Sequence, residues 1–190
     1  MITILLIMIN VSTYLVMSFA CESKYHYFLK EYTINNSNIL LITIQDYYSL
    51  IASMFMHANI THIVMNMIAL FQFGSLIEKE FSAKFLLLLY FTAGITGSIF
   101  SFWYIGHIDQ NVSVLGASGA IFGLIAFHGI INYGLFAVIC EFIIFHALVY
   151  VLRLPIAWYA HLGGALVGIL FAYMFLLLWK KQIINKHLSV

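Results

Sequence analysis

Charge is what this chain has least of. Only 8% of its 190 residues are Asp, Glu, Lys or Arg, against 64% apolar residues and a mean hydropathy of +1.02. A soluble domain carries roughly a quarter charged residues, and a chain this short cannot enclose so much apolar side chain in its own core. A soluble enzyme and a disordered tail are excluded. Eight basic residues against seven acidic ones leave no polyanion-binding surface, so a nucleic-acid binder is excluded too. Proline occurs once, and there is no Pro-rich linker, internal repeat or low-complexity tract, which points to one domain over residues 1–190. Period-two alternation with regular turns is also missing, which argues against a membrane barrel. What remains is an all-α integral membrane protein.

The few charges mark the ends of the spans. None lies between Met1 and Glu22, Asp46 and Glu78, Lys84 and Asp109, Asp109 and Glu141, or Arg153 and Lys180. A hydrocarbon core of ~30 Å takes ~20 helical residues. The gap after Asp46 holds a polar entry segment and one helix. The stretch from Asp109 to Arg153 must hold two, turning at Asn132-Tyr133-Gly134. Six helices are expected, at about 2–20, 60–77, 84–104, 117–132, 135–152 and 159–179. With both termini cytoplasmic, the inner segments hold Lys79, Lys84, Lys180, Lys181 and Lys186, and the outer ones Lys24, Lys30 and Arg153, in the sense of the positive-inside rule. Cys21 and Cys140 then lie on opposite sides, so no disulfide is expected. A signal peptide ending at Ser18-Phe19-Ala20 is the alternative for the first segment, although it lacks a basic start. The sequons at Asn10, Asn35, Asn59 and Asn111 carry little weight.

The uncharged polar residues within the spans fall in one band in the outer half of the bilayer. Counting ~1.5 Å per residue from the expected inner ends puts Asn66 ~18 Å up helix 2, His62 ~24 Å up the same helix, Ser118 ~21 Å up helix 4 and His161 ~28 Å up helix 6. Polar groups are costly in lipid and face a cavity or one another. Ser and His are a nucleophile and its base. His62 and Asn66, at i and i+4, share a face, whereas His57 belongs to the entry segment and packs structurally. Gly116-Ala117-Ser118-Gly119 permits an unusual entry into a helix whose positive end lies beside the hydroxyl, an arrangement able to hold an oxyanion. Gly119-x-x-x-Gly123 and Gly164-x-x-x-Gly168 offer smooth faces on which helices 4 and 6 can approach closely.

These residues resemble the rhomboid family of intramembrane serine proteases. His57, His62 and Asn66 are similar to its His-x-x-x-x-His-x-x-x-Asn pattern, Gly116-Ala117-Ser118-Gly119 to its Gly-x-Ser-Gly motif, and Ala160-His161 with Gly164 and Gly168 to its Ala-His-x-x-Gly-x-x-x-Gly motif. The resemblance covers most of the chain. It implies a six-transmembrane-helix rhomboid-like bundle that cleaves transmembrane segments of other membrane proteins. Ser118 would be the nucleophile and His161 the base, with His62, Asn66 and the Ser118 N–H at the oxyanion. The substrate would enter past helix 5 from the surrounding lipid. No cofactor or metal is implied, and the oligomeric state is open. The short form looks prokaryotic, implying the cell membrane with the site facing outward. Two positions depart from the family: Tyr48-Ser49 stands where many members carry Trp-Arg, and Phe122 stands where a Tyr often stacks on the His. Lacking an acid, the dyad is expected to turn over slowly.

Other readings stay open at this stage. A rhomboid-like protein that binds membrane clients without cutting is one. A small transporter is another, though without inverted repeats. A zinc site built from His57, His62 and His161 is a third, though it lacks the usual pair spacing and a carboxylate. Glu141 and His146 lie within helix 5. Glu141 is expected to pair with His128 in a structural or gate-stabilising role, and His26, His107 and His187 to be solvated.

Overall fold

In a computed structural model of the protein, the backbone is described for residues 1–20, 44–108 and 114–188. The helices are α1 (Ile2–Leu15, continued by a π turn at Val16–Ala20), α2 (Ile44–Ala52, followed by a 3-10 turn at Ser53–Phe55), α3 (Ile60–Ala69, running through a π turn at Leu70–Gly74 into Ser75–Glu80), α4 (Ala83–Ile108), α5 (Ser118–Tyr133), α6 (Leu135–Val151) and α7 (Trp158–Leu188). No β-strand occurs among the described residues. Cys21, His26, Asn35 and Asn111 lie outside the described residues, as do the side chains of His107 and His187. Cys140 is a free thiol.

All six expected segments are helical, but their lengths differ. Among the described residues, four helices, at Ile2–Phe19, Ile60–Glu80, Ala83–Ile105 and Trp158–Lys180, are long and apolar enough to cross a membrane. The other two, α5 and α6, have 16 and 17 residues. These correspond to about 24 and 26 Å, short of a ~30 Å core, so length alone does not give six crossings. The sequence reading missed α2, which occupies part of the segment taken as a polar entry.

The helix ends follow from local chemistry. Gly134 adopts φ +84°, and its N–H donates back to the carbonyls of Gly129 and Ile130, which stops α5. At the end of α6, Arg153 adopts φ +54° and the Leu154 N–H donates to the Val149 carbonyl. Pro155 follows, where no helical donor is needed. Glu78 near the end of α3 receives the N–H groups of Ile2 and Thr3 at 2.7 and 2.9 Å and the Thr3 hydroxyl at 2.7 Å. It thereby caps α1 from 75 residues away, and sets the start of α1 and the end of α3 on the same side of the bundle.

The centre of the bundle is the α4–α5–α7 triplet. Leu86, Leu89, Leu124 and Phe127 are fully buried there. At the end near Glu78, the rings of Phe81, Phe85, Phe127 and Phe175 pack edge and face. α5 and α7 approach backbone to backbone: a side-chain carbon at Gly164 would collide with the Gly119 carbonyl, and one at Gly168 with the Gly123 carbonyl. The two Gly-x-x-x-Gly faces therefore meet each other. By contrast α6 packs mainly on α5, with only Val138 and Val149 of its residues buried. Phe136, Ile144, Leu148 and Tyr150 on it are exposed, as suits a helix facing lipid.

Candidate active site

The site is assembled from α3 and the turn before it, the start of α5, α6 and the start of α7, with glycines at several of the close approaches. Met54, buried in the 3-10 turn, occupies the space that Gly94 of α4 leaves open. That anchors Ser53, whose carbonyl accepts the Gly116 N–H at 2.8 Å. Gly116 has φ +119°, a conformation L-residues avoid, and a side chain there would press on the His62 ring. The chain then turns through Ala117 into α5, so that Ser118 is the first helical residue. Helix geometry leaves the N–H groups of this first turn without intrahelical partners, beside the hydroxyl and at the positive end of the helix.

α7 supplies the histidine. Gly97 of α4 lies against the Ala160 carbonyl, which brings the start of α7 in close. His161 is 3% exposed, and the Ser118 hydroxyl lies 2.9 Å from its Nε2. The Phe122 ring, one turn along α5 from Ser118, covers the imidazole face, with centroids 4.1 Å apart and planes 12° from parallel. The stack expected at this position is thus made without a tyrosine hydroxyl.

α3 supplies the polar wall. Asn59 caps it, accepting the His62 N–H at 2.9 Å. His62 and Asn66 both border Gly116, as their i, i+4 spacing anticipated. Asn66 is buried, and its Nδ2 has no hydrogen-bond partner among the described residues. It is a buried donor beside the serine turn, and such groups are costly unless they meet an acceptor. His57 is not turned away from this group: its buried ring meets His62 edge to face at 5.1 Å. Burial pushes the His57 imidazole down to about 4, and the neighbouring His62 adds to that.

One member was not foreseen. His146 of α6 brings its Nε2 to 2.9 Å from His161 Nδ1, while its own Nδ1 lies 2.7 Å from the Phe142 carbonyl. The depth count that joined Ser118 to His161 contained this information. His146 lies five residues before the end of α6 and His161 three after the start of α7, so across that hairpin they are level to within about 3 Å.

The expected Glu141–His128 pair needs correction. Glu141 is exposed and borders a pocket with Phe122, Val138 and Phe142, while His128 packs on Phe73 and Tyr133 instead of pairing with it. Among the described residues, no three His, Cys, Asp or Glu converge as metal ligands would. Tyr48 is exposed on α2 and Ser49 is buried.

Comparison with known proteins gives the family. The rhomboid domain family matches residues 45–178. Rhomboid protein 1, mitochondrial, of Saccharomyces cerevisiae is 31% identical over 153 residues, which are 66% of this chain and 41% of that protein. RHOMBOID-like protein 6, mitochondrial, of Arabidopsis thaliana is 32% identical over 145 residues, 70% of this chain and 44% of that protein. The rhomboid protease GluP of Bacillus subtilis is 37% identical over 83 residues, 44% of this chain and 15% of that protein. The chain thus spans less than half the length of these relatives. Two of the three carry mitochondrial names, so the relatives do not support the prokaryotic cell membrane expected from the sequence. The apolar helices and the family match make the protein an integral, multi-pass membrane protein. Matched over residues 45–178, well over half its length, the chain belongs to the rhomboid family.

Proposed function

We propose that the protein is an intramembrane serine endopeptidase that cleaves transmembrane segments of other membrane proteins with Ser118 as nucleophile and His161 as general base. The observation that carries this reading is the 2.9 Å approach of the Ser118 hydroxyl to His161 Nε2 at the open end of a helix. In the first step Ser118 Oγ bonds to the scissile carbonyl carbon while its proton passes to His161 Nε2. The oxygen gains negative charge beside the free N–H groups of the α5 start, with the Asn66 amide and His62 as further donors. Collapse of the tetrahedral species breaks the C–N bond, and His161 returns the proton to the leaving amine. Water, activated by His161, then releases the acyl group.

Membership of a family that includes a named protease supports the reaction class. In this reading the chain is a single domain with six crossings, α5 and α6 being the two short ones, and both termini lie on the lysine-rich cytoplasmic side. Purified protein reconstituted with a single-span test substrate is expected to cleave it, and Ser118→Ala is expected to remove cleavage. A serine-directed fluorophosphonate should label Ser118 in a His161-dependent way. Cleavage surviving Ser118→Ala would refute the assignment, and stable binding without cleavage would identify a client-binding protein instead.

A further inference from the structure

His146 has no part in a two-residue mechanism, yet it is hydrogen-bonded into it. Its partners fix its protonation. The Phe142 carbonyl can only accept, so His146 Nδ1, 2.7 Å away, must carry the proton and donate. In the neutral ring Nε2 is then a bare acceptor, and the group 2.9 Å from it, His161 Nδ1, must be the donor. A His161 protonated on Nδ1 keeps its lone pair on Nε2, where the Ser118 hydroxyl stands. One backbone carbonyl on α6 thus determines, through two imidazoles, that the base presents its basic nitrogen to the nucleophile.

The surroundings hold the His146 ring in this place. Phe142 stacks on the His146 ring at 4.0 Å, Phe145 meets it edge-on at 5.1 Å and Phe122 borders it at 5.5 Å. When His161 takes the serine proton it becomes an imidazolium, and its bond to His146 becomes charge-assisted and stronger. No second proton transfer is required: the Nδ1 proton of His161 stays on His161. The interaction is therefore worth more in the transition state than in the resting state, which is the condition for raising kcat.

We infer that His146 is a positioning residue for the proposed protease reaction, locking His161 in its Nδ1–H tautomer and stabilising the imidazolium where other serine enzymes use a carboxylate. The inference rests on the Ser118–His161 reading. Because His146 stands on α6, which has few buried side chains, it also ties this loosely packed helix to the base.

Two variants and two readouts test it. His146→Phe keeps the ring packing but removes the acceptor, and His146→Gln returns an acceptor at a similar reach. In the reconstituted cleavage assay, His146→Phe is expected to lower kcat about 10- to 100-fold, as for loss of a hydrogen bond to a charged group, with KM changed less than about twofold. His146→Gln is expected to regain most of the loss. Wild-type kcat in His146→Phe, or equal losses in both variants, overturns the inference. The second readout needs no substrate. In 15N-histidine spectra of the detergent-solubilised full chain, His161 should carry its proton on Nδ1 in the wild type and His146→Gln, and a tautomer mixture should appear in His146→Phe. An unchanged His161 tautomer in His146→Phe overturns the inference. If the wild type fails to cleave at all, the protease reading fails by the first readout, and the second still decides whether His146 sets the tautomer.

Discussion

The Phe122 ring lies 4.1 Å from the His161 imidazole and 12° from parallel to it, so the proposed base is held by a neighbour on the same helix as the nucleophile. This contact restricts rotation of the imidazole, and a protonated ring above an aromatic face gains cation–π stabilisation of about 0.5–2 kcal/mol. Phe122→Leu is expected to lower kcat about 3- to 20-fold with little change in KM, while Phe122→Tyr, which keeps the face, stays near wild type. Full activity in Phe122→Leu would mean that the stack is packing alone.

The contact between Gly164 and the Gly119 carbonyl makes a second prediction about assembly. Even a methyl group at Gly164 must push α7 off α5, because its nearest neighbour is backbone and not a side chain that could turn away. Gly164→Ala is expected to cost about 1–3 kcal/mol of stability by overpacking, measured by unfolding in detergent. It should also slow fluorophosphonate labelling of Ser118, since His161 sits less than one turn before Gly164. A variant of wild-type stability and labelling rate would show that the helices can part without consequence.

Which parts of this were legible in advance follows from which quantities the sequence carries. Charges mark helix ends, and straight helices convert residue number into depth, so Ser118, His161, His62 and Asn66 could be set in one band without coordinates. Residue spacing does not give azimuth: nothing in it says whether His146 faces α7 or lipid, and its neighbour Glu141 drew attention to the wrong end of α6. The short α2 was not separated from the polar entry because its nine residues, Asp46 among them, are too few to span a ~30 Å core, and only the span-length runs were counted as helices. The special conformation of Gly116 was legible as permission for an unusual turn, but its reason, the His62 ring lying against it, is a tertiary contact.

Glu78 gives a prediction far from the chemistry. Its carboxylate takes two backbone N–H groups and one hydroxyl at the start of α1, where helix donors are otherwise unpaired and negative charge is favoured. Glu78→Ala is expected to destabilise the protein by about 1–2 kcal/mol, and Glu78→Gln by less, since the amide oxygen still accepts. Because α1 lies outside the α4–α5–α7 triplet, labelling of Ser118 in the variants that remain folded should be close to wild type. Equal unfolding temperatures for Glu78→Ala and wild type would show that the cap contributes nothing.

His57 predicts a pH dependence of stability. It lies in the connection before α3, outside the apolar spans, and burial together with His62 pushes its imidazole down to about 4, against about 6.5 in an unfolded chain. Between these values the unfolded chain holds a proton that the folded one excludes, so acid favours unfolding. The contribution is fully present above about pH 6.5 and is lost progressively as the pH falls towards 4. His57→Phe keeps a ring against His62 but has no proton to take up. Its unfolding temperature in detergent should fall less between neutral pH and about pH 4 than that of the wild type. Parallel pH curves for the two proteins would place the acid sensitivity elsewhere.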